Sequence, residues 1–182
     1  PGALSLGLWL VRYLPAAEVI HRLCDIVSKN GNLLLSIPVR GDGTIDSEER
    51  RIVEEIGAWM GRFSDAIHGT RPWTIFGEGP TDVAAGMFSE GKQKPFTPQD
   101  IRFTTKGAAL YAITLGRPEG GQVVVNTLAK GGRHAKRPVR KVTLAGDKTP
   151  LPFHQDQAGL RVTLPDSALH PFGVALRIVG VL

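Results

Sequence analysis

The hydrophobic period of this chain changes near its middle, and that change restricts the fold more than any other feature. Up to about residue 63 the apolar residues recur every three or four positions, and from Ile101 onward they alternate. The first spacing lines one face of a helix and the second lines one face of a strand. A chain of 182 residues therefore carries an α/β segment followed by an all-β one.

Residues 16–29 read as an amphipathic helix. Val19, Ile20, Leu23, Ile26 and Val27 fall at helical spacing, and Asn30-Gly31 supplies a left-handed stop. Asn32 to Ile37 follows as a run apolar at nearly every residue, the habit of a parallel strand buried on both faces. Gly41, Asp42 and Gly43 then make a turn within Arg40–Thr44. A second helix is expected after it, with Asp46 as N-cap and Glu49 completing a capping box. Its buried stripe is Ile52, Ile56, Trp59 and Phe63, with Glu48, Arg50, Arg51 and Glu54 facing away. Helix, buried strand, turn and helix belong to a barrel or a doubly wound sheet, but one strand and two helices close neither.

In the second half the expected strands are Ile101–Thr105, Ala109–Leu115, Gln122–Leu128, Val139–Leu144, Leu160–Leu164 and Val174–Val179. Turn residues such as Lys106-Gly107, Glu119-Gly120-Gly121, Gly146-Asp147 and Pro165-Asp166 separate them, which predicts an antiparallel sandwich. Residues 64–100 hold no sustained period and read as an irregular segment that wraps a surface or carries function.

Composition excludes several classes of function. Hydrophobic residues make up 42% and charged residues 21%, which argues against disorder. Cys24 is the only cysteine, so no intrachain disulfide forms, and the compartment is left undetermined. The apolar stretch Ala3–Leu14 is too short to cross a bilayer and lacks the basic start of a signal peptide. The start at Pro1 is expected to reflect cropping or processing. No membrane partner is expected.

The turn Asp42–Asp46 with Glu49 imitates half of a calcium loop, but Pro38 and Arg40 stand where oxygen ligands are needed. His21, His68, His134, His154 and His170 show no metal-ligand spacing. No metal or cofactor is expected. Lys130, Arg133, Lys136, Arg137, Arg140 and Lys141 form a basic run that could meet a polyanion. It lacks interleaved aromatics, so a solvated charged connection is preferred and nucleic acid is not expected as a partner.

The segment Asp25-Ile-Val-Ser-Lys-Asn-Gly-Asn-Leu-Leu-Leu-Ser-Ile-Pro-Val-Arg-Gly-Asp-Gly-Thr-Ile-Asp46 resembles the end of the catalytic domain of family 29 α-L-fucosidases. Gly57-Ala58-Trp59 and Asp65–Trp73 continue the resemblance, and Phe96-Thr97, Asp100–Gly107 and Ala109–Ile113 resemble the entry to the family's C-terminal sandwich. The resemblance implies an α/β fragment, the end of a (β/α) barrel, followed by an all-β antiparallel sandwich. It divides the chain into a truncated barrel end at 1–75, a linker at 76–100 and a sandwich at 101–182.

The implied activity of the intact enzyme is hydrolysis of terminal α-L-fucose from fucosylated glycans with retention. Retention needs two carboxyl groups about 5 Å apart, and in the family both lie upstream of the match. Residues 1–16 contain no Asp or Glu and depart from the family pattern. No residue is therefore assigned a catalytic role, and the isolated chain is expected to be inactive on fucosides. Arg40 follows the C-terminal end of the barrel strand, where barrel enzymes place their sites, and is the candidate for the pocket rim. An unsatisfied strand 32–37 would also favour a homo-oligomer joined through residues 1–60, with Leu4–Leu14 helping to cover the gap. The alternatives are a carbohydrate- or polyanion-binding sandwich module, or a truncated barrel turned to another, metal-assisted hydrolysis.

Overall fold

The computed structural model describes residues 13–82 and 94–182. Helix α1 (Ala16–Ser28) buries Val19, Ile20 and Cys24. It ends as its sequence dictates: Asn30 adopts φ 68°, its N–H bonds Val27 O at 3.0 Å, and the Gly31 N–H reaches back to Ile26 O at 2.9 Å. These paired bonds satisfy the last carbonyls of the helix. Helix α2 (Ser47–Phe63) starts where Asp46 Oδ1 accepts the N–H groups of Glu48 and Glu49, both at 2.9 Å. The reciprocal Glu49 bond of a capping box is not among the described hydrogen bonds. The second Asp46 oxygen instead accepts the Tyr13 hydroxyl at 3.1 Å.

Between the helices the structure corrects the sequence reading. Residues 32–37 form no strand and are not buried on two faces: Leu34 is 95% exposed, and Leu35, Ile37 and Val39 are also open to solvent. A parallel strand needs neighbours on both edges for its backbone groups. Among the described residues every ladder is antiparallel and none includes this segment.

The strands are β1 (Arg71–Glu78), β2 (Ile101–Lys106), β3 (Ala109–Thr114), β4 (Gln122–Val125), β5 (Lys141–Leu144), β6 (Phe153–Asp156), β7 (Gly159–Thr163) and β8 (Ala175–Val179). They form a five-stranded sheet in the order β1-β2-β3-β8-β5 and a three-stranded sheet in the order β4-β7-β6. Phe103, Leu110, Val142, Leu176 and Ile178 of the larger sheet share one core with Val123, Val125, Leu160 and Val162 of the smaller. This is the layering of a β-sandwich.

Strand β1 lies inside the stretch read as aperiodic, and β6 was not anticipated. Residues 126–128 make a 3₁₀ turn rather than continuing β4. In β1 the pairing passes from Pro72↔Thr104 to Gly77↔Arg102, so Trp73–Phe76 bow away from β2. Such a bulge erases the two-residue period.

The larger sheet is covered on its other face as well, which is why every residue of β3 is buried. Arg102, Thr104, Tyr111 and Ile113 share the face turned to the helices, as their register requires. Thr104 Oγ1 donates to Ala66 O at 2.7 Å. Arg102, 2% exposed, donates from Nε to Asp25 Oδ1 of α1 at 2.6 Å. The guanidinium carbon of Arg102 lies 4.8 Å from the centre of the Phe96 ring and 5.4 Å from that of Phe76. Its Nη2 has no hydrogen-bond partner; the ring faces offer the cation an electrostatic substitute. Trp59 of α2, fully buried, donates its indole N–H to Gly173 O at 3.0 Å. Helices, large sheet and small sheet are therefore three layers sharing contiguous apolar packing.

Candidate functional site

Arg40, the residue singled out for a pocket rim, sits at an exposed turn at the end of the open segment. Its carbonyl accepts the Gly43 N–H at 2.9 Å, and its N–H bonds Thr44 O at 2.7 Å. Gly43 takes φ 82°, which favours glycine. Asp42 closes the turn by accepting Thr44 N–H at 3.0 Å and Thr44 Oγ1–H at 2.7 Å. Those bonds, from the Thr44 hydroxyl first, hold the Asp42 carboxyl below its ordinary value. Asp46 is also held down, by the α2 N–H groups with Glu49 foremost, then by Tyr13 and the nearby Arg40 charge. Both carboxylates are committed to local backbone. Tyr13 and Leu14 are the only residues of the apolar segment Leu4–Leu14 within the described part of the chain.

A retaining glycosidase needs one carboxyl with a raised proton affinity beside an ionised one. The shifts displayed here run the other way. Asp42, Asp46, Glu48, Asp100, Asp147 and Asp156 all lie below the ordinary carboxylate value. At Asp100, burial alone pushes the carboxyl up; the four bonds it accepts from Thr97 and Thr81 together outweigh that. Among the described residues no group of His, Cys, Asp and Glu is arranged to hold a metal ion. No described helix is long and apolar enough to cross a membrane.

The more distinctive surface lies beside the open segment. A cleft of about 840 Å³ runs between the end of α1 and the start of β1, lined by Leu23, Val27, Leu33, Met60 and Ile67 among others. Next to it stand the exposed Leu34, Leu35, Ile37 and Val39. The cleft lining is mixed, with Asn30, Asn32, His68, Thr70 and Arg71 beside the apolar residues. The exposed run next to it has no ladder partner among the described residues, and exposed apolar runs of that kind mark docking surfaces.

The histidines are dispersed, as the sequence indicated. His21 donates from Nε2 to Phe172 O at 3.0 Å, and burial lowers its proton affinity. His134 likewise makes a long-range contact, meeting Thr74 and Trp73 of β1 about sixty residues away in sequence. No local motif carries that meeting, because the bow in β1 creates it.

The described residues define a β-sandwich backed by two helices, with an open apolar segment between those helices. Family models agree in both halves: one described as "Alpha-L-fucosidase" matches residues 9–65, and one described as "Alpha-L-fucosidase C-terminal domain" matches residues 93–179. The chain belongs to the family 29 α-L-fucosidases, as their C-terminal region.

It is 28% identical over 177 residues to plasma α-L-fucosidase of Homo sapiens, which covers 93% of this chain and 33% of that protein. It is 30% identical over 149 residues to tissue α-L-fucosidase of Rattus norvegicus, covering 81% of this chain and 27% of that one. Among solved structures it resembles Thermotoga maritima α-fucosidase in complex with fucose, with a TM-score of 0.69 and 27% identity over 92% of this chain and 35% of that one. The chain thus spans about a third of the length of the relatives it matches.

Proposed function

We propose that this chain is the C-terminal region of a retaining α-L-fucosidase, which releases terminal α-L-fucose from fucosylated glycans when its catalytic part is present. The observation that carries the reading is the open apolar segment at residues 32–39, which lies within the stretch matched to the α-L-fucosidase model. An apolar run without a ladder is what a barrel strand becomes when its neighbours are not supplied. The barrel end expected at 1–75 is then cut back to residue 70, because β1 (Arg71–Glu78) already belongs to the sandwich sheet. Arg40 would border the fucose pocket from the rim of the completed barrel.

With both catalytic carboxylates outside this sequence, the purified chain is expected to hydrolyse a chromogenic α-L-fucoside no faster than buffer does. Steady turnover that disappears when a single carboxylate of the chain is changed would sink the reading.

The same segment carries the proposal of self-association through residues 1–60. Leu34, almost fully exposed, gains roughly 1.5–3 kcal/mol on burial, and the less exposed Leu35 and Ile37 gain less, which together offset part of the association cost. Light scattering of the isolated chain is expected to give a homodimer or larger species, reverting to monomer on Leu34→Asp with Val39→Asp. A wild-type monomer at high micromolar concentration would exclude this mode of assembly.

A further inference from the structure

We infer that a cleft between the bowed edge strand and the basic loop binds sulfate groups of a sulfated glycan. The cleft, about 300 Å³, is lined by Thr74, Ile75, Arg133, His134 and Lys136. Its floor exists because β1 leaves register between Pro72 and Gly77, which frees Trp73–Phe76 from the ladder with β2. Bulges of this kind re-aim side chains at sheet edges. Here Thr74 Oγ1 lies 3.1 Å from His134 Nδ1, and the Trp73 ring packs edge-on against His134 with centres 5.5 Å apart.

The opposite wall is an ordered loop. Ala135 and Val139 are buried anchors within it. Gln155 bridges its two ends, accepting the Val139 N–H at 2.9 Å and donating to Leu128 O at 2.9 Å. Glu78, at the end of β1, accepts the N–H groups of Asn126 and Thr127, each at 2.7 Å. The loop is therefore held in place by contacts that leave Lys130, Arg133 and Lys136 free of side-chain bonds among the described residues.

Only one of the loop's cations meets a described acceptor: the Arg137 guanidinium donates to Leu182 O at 3.4 Å. Lys130, Arg133, Lys136, Arg137, Arg140 and Lys141 are all exposed, and no acidic residue occurs between Glu119 and Asp147. None of the six takes part in the ion pairs of the described residues. A held loop presenting one sign of charge around a cleft concentrates anions there at little ordering cost. Sulfate suits the combination of guanidinium, ammonium and imidazole donors. Nucleic acid fits less well, because the Trp73 ring is already engaged by Phe103 and His134 and offers no platform for a base.

The test is titration of the full chain with a heparin hexasaccharide, a desulfated hexasaccharide and a single-stranded oligonucleotide, following His134 by NMR. The sulfated chain is expected to bind, to shift the His134 ring signals, and to weaken with added salt. Arg133→Glu with Lys136→Glu is expected to cost about tenfold in affinity. The charge-matched control Arg50→Glu with Lys148→Glu, placed away from the cleft, is expected to leave affinity unchanged. Equal loss in both pairs of variants, equal binding of the desulfated chain, or tighter binding of the oligonucleotide would each overturn the assignment. Because the readout needs no hydrolysis, its outcome is independent of the fucosidase reading.

Discussion

Replacing Asp25 with alanine is expected to lower the free energy of unfolding by about 3–5 kcal/mol, the range for breaking a buried ion pair. The carboxylate faces Arg102 Nε at 2.6 Å and Lys29 Nζ at 2.7 Å, and the Arg102 side chain is 2% exposed. Removing the acid leaves a guanidinium in a dry position with only the Ile101 carbonyl and two aromatic rings for company. The loss comes from the stranded charge more than from the attraction itself. Exchanging both partners, Asp25→Leu with Arg102→Met, is therefore expected to recover most of the stability. Lys29→Ala should cost far less, because Lys29 is partly solvated and pairs at the surface. Urea unfolding of the four proteins decides the matter: a cost below about 1 kcal/mol for Asp25→Ala would mean that water reaches the pair.

The second large effect is expected at Trp59. Alanine there removes the largest fully buried side chain among the described residues and should cost about 3–5 kcal/mol. Phenylalanine keeps much of the apolar contact, including the neighbouring Phe63 ring, but takes away the donor that satisfies Gly173 O. That substitution should cost about 1–3 kcal/mol, the penalty for a buried acceptor left unpaired. Gly173 has no freedom to compensate, since it sits at φ 105° with its Cα pressed so close to the Thr114 carbonyl that a side chain would overlap it. If α2 were merely laid on the sheet, Trp59→Ala would melt beside the wild type; a separate early transition would likewise contradict a shared core.

The helices were legible because their ends are chemically marked. Asp46 can cap only a helix that follows it, and Asn30-Gly31 can turn left-handed where most residues cannot. Strand β2 was legible from apolar alternation, and β3 and β8 as short apolar runs between bracketing turns. The misses have physical causes. β6 is an edge strand whose His154, Gln155 and Asp156 carry no buried alternation. β1 holds Pro72 and a bow that breaks its period. Residues 32–37 have the composition of a buried strand, but composition reports the burial a segment is suited to and cannot supply the partners. At the site level, the sequence displayed the basic run but not its cleft, because Thr74 and His134 meet only through the bow.

That same bow governs how the sandwich ends. A strand arriving at the outer side of β1 meets Pro72, which has no N–H to offer, and then backbone that departs from a straight ladder. At the opposite margin β5 is only four residues long and opens on Lys141. Short, charged or proline-bearing margins are how β-proteins discourage runaway strand addition. The large sheet is thus closed to polymerisation along both margins. Residues 32–37, which hold neither a charge nor a proline, are left as the place where fibrillar association of an unpartnered chain would begin.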